Sequence, residues 1–235
     1  MSKILIHGMG PMGQMVDKYF DGNKVYFDPS KDSLSDIDSD VDIIIDFSHH
    51  SVIDNLLDFA NKKHIPVVLC TTGLSYTTEQ NIIKYSNNIP IFKSGNMSLG
   101  INVLIELAKL GAKSLSNYDI EIIEKHHNKK IDAPSGTAFM IAEAIQSIQA
   151  LTLEHGRFGN DAKRNENTIG MHAIRGGTIT GEHTVLFAGT DETIELTHQA
   201  TSKAVFAKGA IEAAHFLLKQ SNGLYDMSDL LKGEL

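Results

Sequence analysis

A glycine triplet near the amino terminus constrains the fold of this chain more tightly than any other feature. Gly8-Met9-Gly10-Pro11-Met12-Gly13 follows a short apolar run, Ile4-Leu5-Ile6-His7, and leads into a stretch where Met12, Met15, Val16, Tyr19 and Phe20 recur at helical spacing. Strand, glycine turn and helix in that order open a dinucleotide-binding βαβ unit. Gly8 permits the tight turn, Gly10 lets the backbone approach a pyrophosphate, and Gly13 lets helix and strand pack closely. The helix start then offers unpaired N–H groups and a positive dipole end to the phosphates. A glycine triplet alone is a weak signal. Here an acid, Asp28, also ends the second strand, Val25-Tyr26-Phe27, 20 residues after Gly8, where a carboxylate can bind ribose hydroxyls. Pro29, Ser30 and Lys31 come next, with no arginine. A carboxylate repels a 2′-phosphate, so NADH is expected in preference to NADPH, with Lys31 the residue that could offset this.

Beyond the turn, strand and helix patterns alternate with short connections. Val41 to Phe47 forms a third strand whose continuous isoleucine run suits burial on both faces. A helix follows, with Val52, Ile53, Leu56, Leu57, Phe59 and Ala60 on its apolar side, then strands at Ile65–Leu69 and Ile89–Phe92. This order predicts an α/β fold, a parallel, doubly wound, Rossmann-like sheet. The pattern changes near residue 97. A long helix, Ile101–Leu115, precedes a strand from Tyr118, in which Ile120 and Ile122 are set against Glu121, Ile123 and Glu124. A helix over about Thr137–Ile148 is followed by strands at Thr168–Ile174, Gly181–Ala188 and Glu192–Gln199, which reads as an α+β second domain. Ala204–Leu218 is a further amphipathic helix. The expected division is a dinucleotide-binding domain of residues 1–96 plus 205–235, and a substrate-binding and oligomerisation domain of residues 97–204.

Composition narrows the function classes. Hydrophobic residues make up 42% of the 235 and charged residues 21%, enough apolar material for a packed core. A net charge of −8 argues against a nucleic-acid partner but not against an anionic substrate, because a few local cations outweigh a distant acidic surface. The single cysteine, Cys70, ends an apolar run and reads as a small buried hydrophobe. With no disulfide possible within the chain, no leader-like segment before the first strand and no apolar run of membrane-spanning length, a cytoplasmic protein without a membrane partner is expected.

The chemistry concentrates in Glu121-Ile122-Ile123-Glu124-Lys125-His126-His127-Asn128-Lys129-Lys130-Ile131-Asp132-Ala133-Pro134-Ser135-Gly136-Thr137-Ala138. Adjacent histidines on an extended strand point to opposite faces, and no third ligand lies at metal spacing, so no metal site is expected. The segment also reads as an anion site. His127 and Lys130 would supply positive donors, Ser135 would cap a helix, and the N–H groups of Gly136 and Thr137 would face outward. A solvated charge run before an ordinary capped helix fits the same residues.

This segment closely resembles the signature of the 4-hydroxy-tetrahydrodipicolinate reductase (dihydrodipicolinate reductase) family, an acid-rich strand followed by H-H-x-x-K-x-D-A-P-S-G-T-A. The resemblance runs nearly the whole chain. Thr71-Thr72-Gly73 is similar to the family's nicotinamide-side loop, and Ser94-Gly95-Asn96-Met97-Ser98-Leu99-Gly100-Ile101-Asn102 to its hinge segment. Arg175-Gly176-Gly177 with Gly181-Glu182-His183-Thr184-Val185 resembles its substrate-domain strand, and Leu196–Ala200 and Gly223–Met227 its closing segments. It implies reduction of a small cyclic dicarboxylate with NAD(P)H in lysine and diaminopimelate biosynthesis, and a homotetramer built through the second domain's sheet. By position it makes His126 the acid/base and Lys130 the proton donor, with His127, Ser135, Gly136 and Thr137 on the substrate carboxylates. A lysine with an ordinary pKa of about 10.4 serves as readily as a fixed charge, so a binding role for Lys130 stands beside proton donation. The cofactor positions expected are Gly8, Met9, Gly10, Pro11, Met12, Gly13, Asp28, Phe47, Cys70, Thr71, Thr72, Ser94, Gly95, Asn96 and Met97.

Three positions depart from the family pattern. Cys70 stands where glycine is usual and Gly95 where proline is common, and both leave backbone contacts to a cofactor open. Ser48-His49-His50 replaces a segment where many relatives carry an arginine that helps hold NADPH. Two other readings share the first domain's logic: a different two-domain dehydrogenase, which should lack the His126-His127 and Asp132–Thr137 motifs, and an NADH-binding sensor without turnover, which would need a partner surface that no basic patch supplies.

Overall fold

The apolar runs and helical periods resolve, in a computed structural model that describes residues 2–37 and 40–232, into two sheets with their helices. The first segment comprises β1 (Lys3–His7), α1 (Pro11–Tyr19), β2 (Asn23–Phe27), β3 (Ile43–Asp46), α2 (Ile53–Lys63), β4 (Val67–Leu69), α3 (Tyr76–Ser86) and β5 (Pro90–Lys93). Next come α4 (Leu99–Ser114), β6 (Asp119–His126), α5 (Gly136–Gln146), β7 (Thr152–His155), β8 (Thr168–Arg175), β9 (Gly181–Ala188) and β10 (Thr193–Ala200). The chain closes with α6 (Ala204–Leu217), β11 (Gly223–Tyr225) and α7 (Met227–Lys232). Residues Met1–Leu99 with Lys203–Leu235 form one compact unit and Gly100–Ser202 a second. The last three residues of the tail expected in the first domain, 233–235, lie outside the described residues.

The first unit holds an all-parallel sheet in the order β11-β5-β4-β3-β1-β2. Its central strands β3 and β4 are buried at every position because both faces are covered, and the period of two divides the sheet's inward side chains between two cores. Ile4, Ile6, Ile43 and Ile45 enter one cluster with Val16 of α1 and Ala207, Ala210 and Ala214 of α6. Leu5 and Ile44 enter the other with Leu56, Leu57 and Ala60 of α2. The first glycine turn is forced by geometry. Gly8 has φ +96°, and a Cβ on Gly13 would lie 2.0 Å from the Gly8 carbonyl oxygen, so only glycine lets α1 start this close to β1. Pro11 occupies the first turn of α1, and Gly10 before it provides no side-chain cap.

The second unit holds a mixed sheet, β10-β9-β6-β8-β7, with β6 antiparallel to β9 and parallel to β8. Ile120, Ile122, Met171, Val185 and Phe187 pack against Ala108 of α4 and Ile141 and Ala142 of α5. Ser135 caps α5 as expected, its hydroxyl accepting from Ala138 N–H at 3.2 Å.

Four elements escaped the periodicity: α3, β7 and the short closing pair β11 and α7. In α3 only Thr78, Ile82 and Ser86 are buried, so its apolar stripe is thin, and β7 is a four-residue edge strand with a largely polar sequence. One assignment is corrected. Glu124 does not share a face with Glu121 and Ile123. It lies inward with Ile120 and Ile122, as strict alternation requires, and is 1% exposed.

Gly13→Ala is expected to cost about 1–3 kcal/mol through the clash with the Gly8 carbonyl. Gly10→Ala, where a Cβ meets nothing within 4 Å, should stay within about 0.5 kcal/mol of the parent. Denaturant unfolding of the two variants measures the contrast.

Candidate active site

In the first unit the sequence-predicted positions gather at the carboxyl ends of the parallel strands, where open α/β sheets bind their ligands. Gly8–Gly13 follow β1, Asp28 follows β2, Phe47 follows β3, Cys70, Thr71 and Thr72 follow β4, and Ser94–Met97 follow β5. Met9, Met12, Phe47 and Cys70 are half-buried and pack on the adjoining core. The buried carboxylate of Asp46 ties these loops together. It accepts from Ser48 Oγ at 2.6 Å and from Thr71 Oγ1 at 2.6 Å, and pairs with His7 Nδ1 at 2.7 Å. The Cys70 thiol is pushed well up by burial and by the nearby Asp46 carboxylate, which makes it an inert packing group. Ser94 Oγ donates to the Asn96 carbonyl, and Ser98 N–H donates to Asn96 Oδ1, so the segment after β5 is braced by its own side chains.

Asp28 accepts from Ser30 Oγ at 2.7 Å and Ser30 N–H at 3.0 Å, and pairs with Lys31 Nζ at 3.0 Å. Those two serine bonds, with the lysine, hold its carboxyl down to about 2, so it stays ionised. Beside it a cleft of about 370 Å³ is lined by His7, Phe27, Pro29, Leu34 and Val52, with the His7 ring stacked on Phe27 at 5.0 Å. The unit thus offers what a dinucleotide needs: an ionised acid after β2, next to Pro29 of an aromatic-walled cleft, and a turn after β1 where Gly10 leaves space that a Cβ would fill.

In the second unit the site stands where the apolar core ends, at the carboxyl end of β6. Glu124 forms a bidentate pair with Arg175 (2.6 and 2.8 Å), accepts from Ser135 N–H at 3.1 Å and lies 2.5 Å from His126 Nδ1. Ser135 Oγ shares a hydrogen bond with His183 Nε2 at 3.1 Å, and the His126 and His183 rings meet edge to face at 5.2 Å. Burial above all, then the neighbouring His126, pushes His183 down to about 4, so it is neutral at physiological pH. Glu124, His126, Ser135 and His183 are therefore one connected group, with Gly136 and Thr137 opening α5 beside it. Lys130 pairs with Asp132 at 2.8 Å instead. His127 Nδ1 is buried without a hydrogen-bond partner among the described residues. Among those residues no three His, Cys, Asp or Glu side chains are grouped to hold a metal, and no helix is long and apolar enough to cross a membrane.

Glu124, Arg175 and His183 stand within sequence motifs that give them no role of their own, and Asp46 and His7 belong to no motif. The usable signal was patterning. An acid at an inward position of an otherwise apolar strand must have buried partners, and both Glu124 and Asp46 break the pattern in this way.

A parallel dinucleotide-type unit joined to a mixed-sheet unit that carries a histidine and a capped helix start defines a two-domain NAD(P)H-dependent oxidoreductase. Residues 21–97 match the family model for the dihydrodipicolinate reductase N-terminus, and residues 100–231 match that for its C-terminus. The 4-hydroxy-tetrahydrodipicolinate reductase of Caldanaerobacter subterraneus subsp. tengcongensis is 48% identical, with 99% of each chain covered. That of Clostridium novyi is 42% identical over the whole of both. Among solved structures, a dipicolinate-bound dihydrodipicolinate reductase from Paenisporosarcina sp. TG-14 has the same fold, with a TM-score of 0.76, 20% identity, and 96% and 97% of the two chains covered. The chain belongs to the dihydrodipicolinate reductase family.

The buried groups predict an acid-labile second unit. An unfolded histidine titrates near pH 6.5, whereas folded His183 stays neutral to about 4, so in that window the unfolded state binds more protons and stability rises with pH. For Glu124, burial raises the carboxyl pKa, but hydrogen bonds from Arg175 and His126 outweigh it and the net shift is downward. Its contribution is present above the unfolded value of about 4.3 and lost as pH falls through the lower folded value. The melting temperature should fall steadily from pH 7 to pH 4. His183→Gln should flatten the part between about 6.5 and 4, and an unchanged slope would count against the assignment.

Proposed function

We propose that this protein reduces 4-hydroxy-tetrahydrodipicolinate to tetrahydrodipicolinate, with NADH as the preferred reductant, in a reducing cytoplasm and as a homotetramer. The observation that carries this reading is the pairing, in one unit, of a histidine tied down by its Nδ1 with the exposed, serine-capped start of α5. A cyclic dicarboxylate needs both, a proton-exchanging group for the ring and N–H donors for its carboxylates. A bound dinucleotide supplies the hydride, and one proton is added as water is lost.

The chain's own residues divide the remaining work. Gly136 and Thr137 present their N–H groups at the positive end of α5, and Gly136 leaves the approach open, since a Cβ there would meet nothing within 4 Å. His127 adds a ring N–H donor and Lys130 a positive one for the carboxylates. His126 exchanges the proton through Nε2, the ring nitrogen not engaged by Glu124. In the first unit Gly8 to Gly13 hold the pyrophosphate, and Thr71, Ser94 and Asn96 shape the nicotinamide end. Asp28 favours NADH because it is ionised and would face a 2′-phosphate with like charge, and Lys31 is already paired with it. The tetramer is supported by the sheet face of the second unit opposite its helices, where Ile174 is 46% exposed and Ile123 and Leu186 are half-buried.

The test is a coupled assay in which the upstream synthase makes the unstable substrate in place from pyruvate and aspartate semialdehyde. Synthase-dependent oxidation is expected, with higher kcat/KM for NADH than for NADPH. No oxidation by folded protein that still binds NADH would return the reading to a sensor or another substrate. His126→Gln should lower kcat by roughly 10²–10⁴-fold with little change in KM. Lys130→Ala with unchanged kcat and KM would exclude both roles considered for that lysine.

A further inference from the structure

Glu124 faces four donors, and they divide between its two oxygens. Oε1 accepts from Ser135 N–H at 3.1 Å and Arg175 Nη2 at 2.6 Å. Oε2 accepts from Arg175 Nη1 at 2.8 Å and lies 2.5 Å from His126 Nδ1. Two charge-assisted bonds from the guanidinium keep this carboxyl ionised near neutrality against the pull of its burial. An ionised carboxylate has no proton to give, so the bond to His126 runs one way, with Nδ1 as donor. A neutral imidazole in that bond carries its proton on Nδ1 and leaves Nε2 bare. Gly181 makes room for this nitrogen, since a Cβ there would lie 3.1 Å from it.

We propose that Glu124 is the positioning residue of the site: it fixes His126 as the Nδ1–H tautomer, so that Nε2 exchanges the reaction's proton, and through Ser135 it holds the start of α5 in register with that nitrogen. The inference rests on the reading of His126 as the acid/base and deepens it. Arg175 then serves Glu124 and not the substrate. Its two terminal nitrogens also donate to the Ile174 and Asp132 carbonyls, so both are taken up by the carboxylate and the loop that precedes α5, while Nε is buried without a hydrogen-bond partner among the described residues. The two oxygens of Glu124 thus do separable work. Each takes one guanidinium nitrogen, but only Oε1 holds the start of α5 through Ser135 and only Oε2 sets the tautomer.

That separation gives the test. Ring nitrogens of the ¹⁵N-labelled, unmodified protein are observed by long-range ¹H–¹⁵N correlation at about pH 8, with His126→Gln identifying the His126 signals. The expected spectrum has a protonated Nδ1 and a bare Nε2, and the reverse overturns the proposal. Glu124→Gln can keep its oxygen at the Oε1 position with both donors there, while its amide N–H₂ gives up the bond from Arg175 Nη1, faces Nδ1 and forces the proton onto Nε2. The expected result is a flipped tautomer and a kcat lower by roughly 10²–10⁴-fold, with KM within about threefold. An unchanged kcat, or a loss confined to KM, overturns the proposal. Should Glu124→Gln fail to fold, the spectrum of the unmodified protein decides alone. Absence of synthase-dependent oxidation by the unmodified protein would count against the reductase reading itself, and the tautomer measurement distinguishes the two failures.

Discussion

A carboxylate taken out of water must find donors for its lone pairs, and each unit of this protein is organised around one that has. Asp46 ends β3 after three buried isoleucines, and Glu124 stands near the end of β6 after Ile120 and Ile122. Leaving either unpaired would cost several kcal/mol, comparable to a large part of a domain's whole stability. The donors that prevent this come from separate stretches of chain: His7, Ser48 and Thr71 for Asp46, and Ser135 and Arg175 for Glu124, beside His126. The requirement that stabilises each carboxylate is therefore the one that gathers the surrounding loops.

The cores fix where that gathering happens. In the first unit, parallel strands buried on both faces all end at one edge of the sheet, so the loops after β1, β3, β4 and β5 share that edge without further instruction. In the second, β6 is central and neighbours both β8 and β9. Cross-strand pairing sets Glu124 opposite Ala173 and His183, and His126 opposite Arg175. A slip of one residue in that register would turn Glu124 out to solvent and bring Ile123 in, which the apolar partners Ile120 and Ile122 forbid. Register here is a property of the isoleucines, and the site inherits it.

How much of this was legible in the sequence follows from the range of each interaction. The glycine turn, the cap at Ser135 and the strand–helix alternation are local, and each was read correctly from a few adjacent residues. The glycine motif supplied Gly8–Gly13 and Asp28, and the family resemblance gave roles to the residues of the histidine segment. What stayed hidden depends on pairing between residues far apart in the chain, such as His7 with Asp46, 39 positions away, or Arg175 with Glu124, 51 away. Glu124 shows the boundary. Its inward placement follows from alternation alone, yet an acid beside Glu121 and Lys125 looks like part of a solvated run until the periodicity is counted strictly. The thinly apolar α3 and the short edge strand β7 carry too little periodic signal to stand out at all.

Charge accounting makes an acidic chain, at −8, compatible with the dicarboxylate site proposed at the start of α5. The cations near the start of α5 are not equivalent. Arg175 is bidentate to a buried carboxylate and cannot leave without stranding it, so its charge is cancelled in place. Lys130 is paired with Asp132, whose carboxylate is 57% exposed, and such a pair is worth at most about 1 kcal/mol. An incoming carboxylate that also engages the N–H groups of Gly136 and Thr137 competes with that single exposed partner at small cost. The recruitable positive charge is therefore the lysine and the fixed one is the arginine. The arginine is held by burial and the lysine is free to exchange partners, which is the difference a binding site needs between its frame and its contacts.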